Sequence, residues 1–445
     1  MPLLSNRLPL FLEQVGYNLR GGFLVRPLII AVVLGLLGAV FSSLEEAFPI
    51  VSAWVPHFLF PSHADPQVSQ VILSSIATAM MTVVSIVFAI LLMTLTLASM
   101  QFSPRIIVSF SQDRVTQQTL GIFLGTFAYC VAALPAARSL PHPFAPVATV
   151  LGAMLLALAC VAWLLYFIHH ISQAVSVNYI VDRIASETES IIDEMMPRPL
   201  RQSRILALDE EIEASASEVP VLSGASGYVR YINTQRLMPI AKSCGVTVRV
   251  LRRVGHFVPA GVPLLMVSKG HKLTPSAVAL LRGVFDIGPT RTLQQDVEYG
   301  ILQIVDIALK AISPAVNDPS TAISCVDQLS RILIRFASRE PLDSRLYDPP
   351  GTVRVYIPWL GFDRLVESAF EQIRLYAKSD VAVNLRMLRA LSDIAATVSD
   401  PAACRVLAEQ GRRTVAGAAE QLGEQEMSDI HLRLTTLETS AAPIE

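Results

Sequence analysis

Charge is scarce in this chain. Of its 445 residues only 16% are charged, against about 25% in an ordinary soluble protein, while 52% are hydrophobic. The mean hydropathy is +0.49. The deficit is concentrated before residue 171, and most of the charge follows it. This composition excludes a simple soluble globule and implies an integral membrane protein. A formal net charge of −2 gives no general reason to expect nucleic-acid binding. Cysteine is sparse too. Cys130, Cys160, Cys244, Cys325 and Cys404 are scattered with no C-x-x-C pair, which argues against a disulfide framework or a cysteine zinc site.

Catalytic signatures are also missing. There is no phosphate-binding G-x-x-x-x-G-K-[ST], no G-x-G-x-x-G, no H-E-x-x-H and no G-x-S-x-G. His169 and His170 are adjacent, so they leave a helix on different sides and do not chelate as an i,i+4 pair would. The expectation is a protein that is not an enzyme, with no cofactor and no metal. The N-terminus does not read as a cleaved signal peptide, because the apolar run starts only after Arg26 and lacks a clear small-residue cleavage site.

What is present is four long apolar runs. The first span is expected from Pro27 to about Leu44, the second over Val71–Met100, the third over about Thr119–Leu134 and the fourth over about Val147–Ile168. Val71–Met100 has no charged residue, no glycine and no proline. As a helix it would extend about 45 Å, against a hydrocarbon core of about 30 Å. Its polar residues are ordered: Ser75, Thr82, Ala89 and Thr96 recur every seven residues, as do Thr78, Ser85, Leu92 and Ser99. They form one seam of small or hydroxyl-bearing side chains. Such a seam either packs on another helix or faces water. Spans two to four carry no charge, which argues against a proton relay and leaves a hydroxyl-lined pore or a structural bundle.

Loop charge orients the chain. Arg7, Arg20 and Arg26 precede span one, the loop of residues 45–70 has no Lys or Arg, and Arg105 and Arg114 follow span two. The positive-inside rule then puts both termini in the cytoplasm of a multi-pass inner-membrane protein. The resulting fold class is an α-helical membrane protein with four transmembrane helices and a cytoplasmic α+β part. Residues 1–26 read as an interfacial segment or a plain polar lead-in, and 27–170 as the membrane domain. Residues 171–219 read as a helical stalk and linker, in which span four continues as one helix to about Met196.

Residues 220–270 have glycine turns between β-branched runs and read as a small β-barrel. SGYVRYI and VGHFVPAGVPLLMV look like the biotinyl/lipoyl barrel-sandwich fold in an unmodified form, since Lys269 lacks the flanking methionines of a carrier. Residues 271–432 read as a helical domain with one strand, TVRVYI, and 433–445 as a frayed tail. Leu293–Ser313 predicts an amphipathic helix whose polar row, Tyr299, Gln303, Asp306 and Lys310, is a solvated face. Asp318 and Pro319 predict the N-cap and first residue of a helix to about Arg339, a terminus that either is only capped or also holds an anion.

Three motifs resemble one family. They are LTLASMQFSPRIIVSF followed by D-R-x-x-Q-x-x-L-G, then SGYVRYI with VGHFVPAGVPL, then RTLQQDVEYGILQIVDIALKAISPAVNDPSTA. Together they resemble the bacterial membrane-protein family called domain of unknown function 2254, over nearly the whole chain. The resemblance implies a prokaryotic inner-membrane protein and brings no activity. Its signature positions here would be Gln101, Phe102, Ser103, Pro104 and Arg105 at the membrane exit, and Arg291, Asp296, Asp306, Pro314, Asn317, Asp318 and Pro319 in the cytoplasmic part.

Two functional classes follow. One is an oligomeric channel- or transport-like protein, with Ser75, Thr78, Thr82, Ser85, Thr96 and Ser99 lining a pathway and the cytoplasmic part regulating it. The other is a membrane-anchored scaffold or sensor in which the seam is helix packing. The expected partners are the lipid bilayer, further copies of the chain, and a small ion or other ligand.

Overall fold

The computed structural model describes residues 25–48, 65–101, 114–138, 144–174, 176–197, 218–270, 273–349 and 351–441. The chain divides between Ser176 and Val177 into two compact units. The N-terminal unit contains four helices long and apolar enough to cross a membrane: α1 (Val25–Ala47), α2 (Pro66–Gln101), α3 (Arg114–Ala133) and α4 (Val147–Ala174). Each contains one of the expected spans. The segments 1–24 and 102–113, where interfacial structure was expected, lie outside the described residues.

The centre of this bundle is α3. Half of its most apolar stretch is buried, against 17% in each of the other three helices, and it packs on all of them. Lipid is as apolar as leucine, so close packing has to hold such helices together, and small residues permit it. A Cβ on Gly125 of α3 would stand 2.4 Å from Leu34, and one on Gly38 of α1 would stand 2.5 Å from the carbonyl oxygen of Tyr129. Gly121 is equally tight against Ile30. The spacing Gly121-x-x-x-Gly125 is therefore an intramolecular helix-packing motif.

One end of the bundle is fixed by Glu45, which is fully buried at the end of α1. Its carboxylate accepts from the N–H groups of Ala148 and Thr149 at 2.7 and 2.8 Å and from the Thr149 hydroxyl at 2.7 Å. These are first-turn donors of α4 with no partner inside their own helix, and the helix dipole favours an anion there. Glu45 was expected in a loop. α1 itself ends at Ala47, three residues past the expected Leu44. Nearby, Arg138 pairs with Glu46, and the Gln70 amide donates to the Ala137 carbonyl at 2.5 Å.

The continuous helix expected from span four to Met196 is two helices, because α4 ends at Ala174 and α5 covers Val177–Met195. Nor is α5 a free stalk. It buries Ile180, Val181, Ile184, Ile191 and Ile192 against later helices of its own unit.

Eight strands follow: β1 (Val219–Leu222), β2 (Gly227–Ile232), β3 (Val248–Val250), β4 (Phe257–Val258), β5 (Pro263–Val267), β6 (Phe285–Gly288), β7 (Arg345–Asp348) and β8 (Thr352–Tyr356). They form a five-stranded sheet, β1-β5-β3-β8-β7, and a three-stranded sheet, β4-β2-β6. The sheet region thus draws strands from beyond residue 270. The hairpin β7–β8 returns to pair parallel with β3, Val248 opposite Val355. Within residues 220–270, expected as a small β-barrel, lies a helix, α6 (Thr234–Cys244). Asn233 caps it through the Arg236 N–H, and Gly245 ends it at φ 63° in the left-handed region.

The remaining helices are α7 (Pro275–Arg282), α8 (Val297–Ala311), α9 (Pro319–Ala337), α10 (Phe362–Tyr376), α11 (Val381–Ala395), α12 (Pro401–Ala419) and α13 (Glu424–Ser440). Their starts follow the sequence: Thr274, Asp296, Asp318, Asp380 and Asp400 are N-caps, and proline follows three of them. The expected frayed tail is helical to Ser440, because Ile430 and Leu437 are fully buried.

Candidate functional site

The first site to consider is the α2 face. Leu73, Ala77, Met80, Val87 and Thr94 are buried and turn into the bundle. Ser75, Thr78, Thr82, Ser85 and Thr96 are all exposed on other faces of the helix. Four of these hydroxyls donate to their own helix, to the carbonyl four residues back: Thr78 at 2.9 Å, Thr82 at 3.1 Å, Ser85 at 2.9 Å and Thr96 at 2.8 Å. Each proton is used internally, and oxygen lone pairs remain on the outer surface. The exposed faces of α1 and α4 are mainly aliphatic, with Leu28, Val32 and Leu36 on α1 and Leu155, Leu158, Val161 and Leu165 on α4, and α2 exposes Val71, Ile86, Phe88, Leu92 and Met93 beside its hydroxyls. Those bulky aliphatic faces suit lipid. The backbone of α2 includes Ser99 and Gln101, whose side chains, like Ser103, Pro104 and Arg105, lie outside the described residues.

The second site is a buried charge cluster in the C-terminal unit. Arg291 grips Asp296 with two bonds, Nε and Nη2 each at 2.8 Å, and Asp296 also caps α8 through the Tyr299 N–H at 3.0 Å. Arg291 also reaches Glu298 at 3.1 Å and lies over the Tyr299 ring, 5.4 Å from its centroid. Glu298 is the hub. Arg253 approaches it at 3.4 and 3.5 Å, the Ser368 hydroxyl donates at 3.2 Å, and Arg364 stands at 3.9 Å. Gly255, at φ 89°, lets the 251–256 loop lie flat on this cluster: a Cβ there would meet Arg291 at 2.6 Å and Asp296 at 2.7 Å.

The electrostatics follow from that crowding. Burial alone would raise the Glu298 carboxyl, but Arg253 and Arg291 outweigh it and hold it below the usual value. Burial, reinforced by Arg253 and Arg252, pushes the His256 imidazole below its ordinary value.

Of the cytoplasmic motif, the structure joins Arg291 and Asp296 and leaves the others apart from them. Asp318 caps α9, bonding the Thr321 N–H at 3.2 Å and its hydroxyl at 2.5 Å, which lowers its pKa. Asn317 sits at φ 48°, making the turn before that cap. Asp306 is half-buried on α8. The solvated polar row expected on α8 is a correction: Tyr299 and Gln303 are buried, because α5, α9 and α10 cover the helix. The hub Glu298 and its partners Arg253 and Arg364 went unread in the sequence. The available signal was Arg252–Arg253 and His256 within an apolar run.

The sequence profile of the predicted membrane protein family DUF2254 matches residues 20–393. The chain belongs to this family. It is 33% identical over 338 residues to the uncharacterized protein Rv1290c of Mycobacterium tuberculosis and to the uncharacterized protein Mb1321c of Mycobacterium bovis, covering 74% of this chain. The match spans only 64% of the length of those relatives. No solved structure matches the chain. The matched region contains both the α2 face and the arginine–carboxylate cluster. Among the described residues, no group of three or more His, Cys, Asp or Glu side chains is placed to hold a metal ion.

Proposed function

We propose that this is an oligomeric channel- or transport-like protein of the bacterial inner membrane, with non-enzymatic chemistry. Copies of α2 face one another across a pathway for a small ion. The observation that supports this is the row of five exposed hydroxyls on α2, which runs beside exposed apolar residues of the same helix and has no counterpart on α1 or α4. Ser75, Thr78, Thr82, Ser85 and Thr96 follow the 3–4 spacing of a helix seam. Small residues are what membrane helices bring to an interface with another helix. The outward lone pairs favour water or a cation over an anion. In this reading the termini are cytoplasmic, and the C-terminal unit, with a barrel-sandwich-like sheet region, regulates the pathway.

The back-bonded hydroxyls favour a second reading, a membrane-anchored scaffold or sensor. A hydroxyl that spends its proton on its own helix needs no water, so the same seam can pack dry between copies. Reconstitution separates the two. The pathway reading expects potassium flux from liposomes containing the purified protein, lost in Thr82→Leu/Ser85→Leu. A stable oligomer that carries no flux under any gradient supports the scaffold and overturns the pathway.

A further inference from the structure

We infer that the turn of residues 314–317, which leads into α9, seats in the headgroup boundary of the bilayer and anchors the C-terminal unit to lipid. The inference starts from connectivity. Ala174, the last residue of α4, is three peptide bonds from Val177, the first residue of α5. That connection reaches about 11 Å at most. Residues Val147–Gln173 of α4 form one of the four candidate spans. The covalent chain therefore ties the start of α5 to a membrane span.

The start of α9 shares that tethered end. The Ser324 hydroxyl donates to the Asn178 amide oxygen at 3.0 Å. Further along, Arg331 donates to Asp182 at 2.8 Å and to Glu189 at 2.5 Å, and Arg335 and Arg339 both bond Asp193. The partners rise together along both helices, so α5 and α9 run parallel. Pro319 precedes Ser324 by five residues, about 7 Å of helix toward the tethered end. The 314–317 turn comes just before Pro319.

The chemistry of this turn suits a lipid boundary. No charged residue stands between Ala311 and Asp318. Pro314, Ala315, Val316 and Asn317 are all exposed, yet their backbone is bonded internally. Pro314 has no N–H. The Val316 and Asn317 N–H groups donate to the Ser313 carbonyl at 3.0 and 2.9 Å, and the Asp318 N–H donates to the Ala311 carbonyl at 2.8 Å. Asn317 takes a left-handed φ of 48° within this turn. Donors already satisfied inside the turn do not need water, and that is the condition for leaving water for an apolar medium. Tyr179, half exposed near the start of α5, adds an amphipathic ring at the same end. A single exposed valine elsewhere on the surface would mean nothing. An uncharged, internally bonded tip at the end tethered to a membrane span selects lipid as its occupant. The inference rests on the membrane spans and stands apart from the reading of α2.

The test uses the full chain in phosphatidylcholine nanodiscs. Cys244, the half-exposed cysteine, is replaced by Ser, and the other four cysteines are buried. Val316→Cys carries a bimane label. Ser338→Cys, exposed at the far end of α9, carries the same label as the control. Phosphatidylcholine with a doxyl group high on its acyl chain is the quencher. The expected result is blue-shifted emission and about twofold quenching at position 316, with no quenching at 338. A label on Ala315→Cys is quenched in the same way, and adding Val316→Asp removes most of that quenching. Because the Val316 side chain is exposed, unlabelled Val316→Asp keeps the wild-type melting temperature in detergent. No quenching at 316, equal quenching at 316 and 338, or quenching at 315 that survives Val316→Asp overturns the proposal. A blue shift at 316 without doxyl quenching shows that protein covers the turn, from a second copy or from the chain itself, and overturns it too.

Discussion

Glu45 in the helical bundle and Glu298 in the C-terminal unit are both buried carboxylates, and they are held by opposite means. Glu45 bonds no cation among the described residues and rests on two backbone N–H groups and a hydroxyl at the start of α4. Glu298 is surrounded by Arg253, Arg291 and Arg364. The difference follows from what each environment supplies. An apolar bundle has few cations to offer, but each helix start exposes N–H groups that need an acceptor. The C-terminal unit has charge available, and it forms a network in which losing one member strands the rest. The same economy governs the α2 hydroxyls, which bond their own backbone.

This contrast can be broken by substitution. The largest effect is expected at the network. Arg291→Leu leaves Asp296 and Glu298 without their closest cation, a loss of about 3–5 kcal/mol. Denaturant unfolding of the C-terminal unit, followed by tryptophan fluorescence from Trp359, should register it. A loss below about 1 kcal/mol would mean that Arg291 does not anchor the cluster.

Glu45→Ala comes next. It strands the Ala148 and Thr149 N–H groups in a mostly buried site, at a cost of roughly 2–3 kcal/mol. Thermal unfolding in detergent, compared with exposed Glu46→Ala, checks it. Glu46→Ala should cost under about 1 kcal/mol, as a surface ion pair does. Equal effects would remove the distinction between the two neighbours.

The smaller effect is one of pH. Folding lowers the His256 pKa from an ordinary value of 6.5. The unfolded chain therefore takes up that proton first, so stability falls as pH drops below about 6.5 and continues to fall until the folded value is reached. The slope is at most about 1.4 kcal/mol per pH unit. Glu298 and Asp318 are shifted down, so their contributions are present above the ordinary carboxyl range and are lost below it. His256→Gln should flatten the loss that begins below about pH 6.5 and leave the carboxyl-range loss in place. An unchanged profile would show that His256 is not buried in this cation field.

Much of the architecture is legible in the sequence, and what is not has identifiable causes. The four apolar runs and the capped starts of α9, α11 and α12 can be read because their signals are local. Asp318–Pro319 is itself the start of α9. The pairing of β8 with β3 is invisible, since about a hundred residues separate the partners and no local pattern records a parallel register. Burial of Tyr299 and Gln303 is hidden for a related reason. Helical periodicity shows one apolar face of α8 and cannot show that three helices enclose it. Glu45 follows the last apolar residues of α1, as a loop residue would, and only the position of α4 makes it a cap. Of the candidate sites, the α2 seam is legible as a heptad. The cluster is legible only at Arg291 and Asp296, because Arg253 and Arg364 come from distant segments.

The proposed pathway depends on the outward face of α2. The most direct test is potassium flux through liposomes carrying wild-type protein, Thr82→Leu/Ser85→Leu, or the matched change Leu158→Thr/Leu165→Thr on α4. A pathway along α2 predicts flux in the wild type, loss in the α2 variant and retention in the α4 variant, with all three forming the same oligomer. Flux that survives leucines at 82 and 85, or no flux from a correctly assembled wild type, would contradict it.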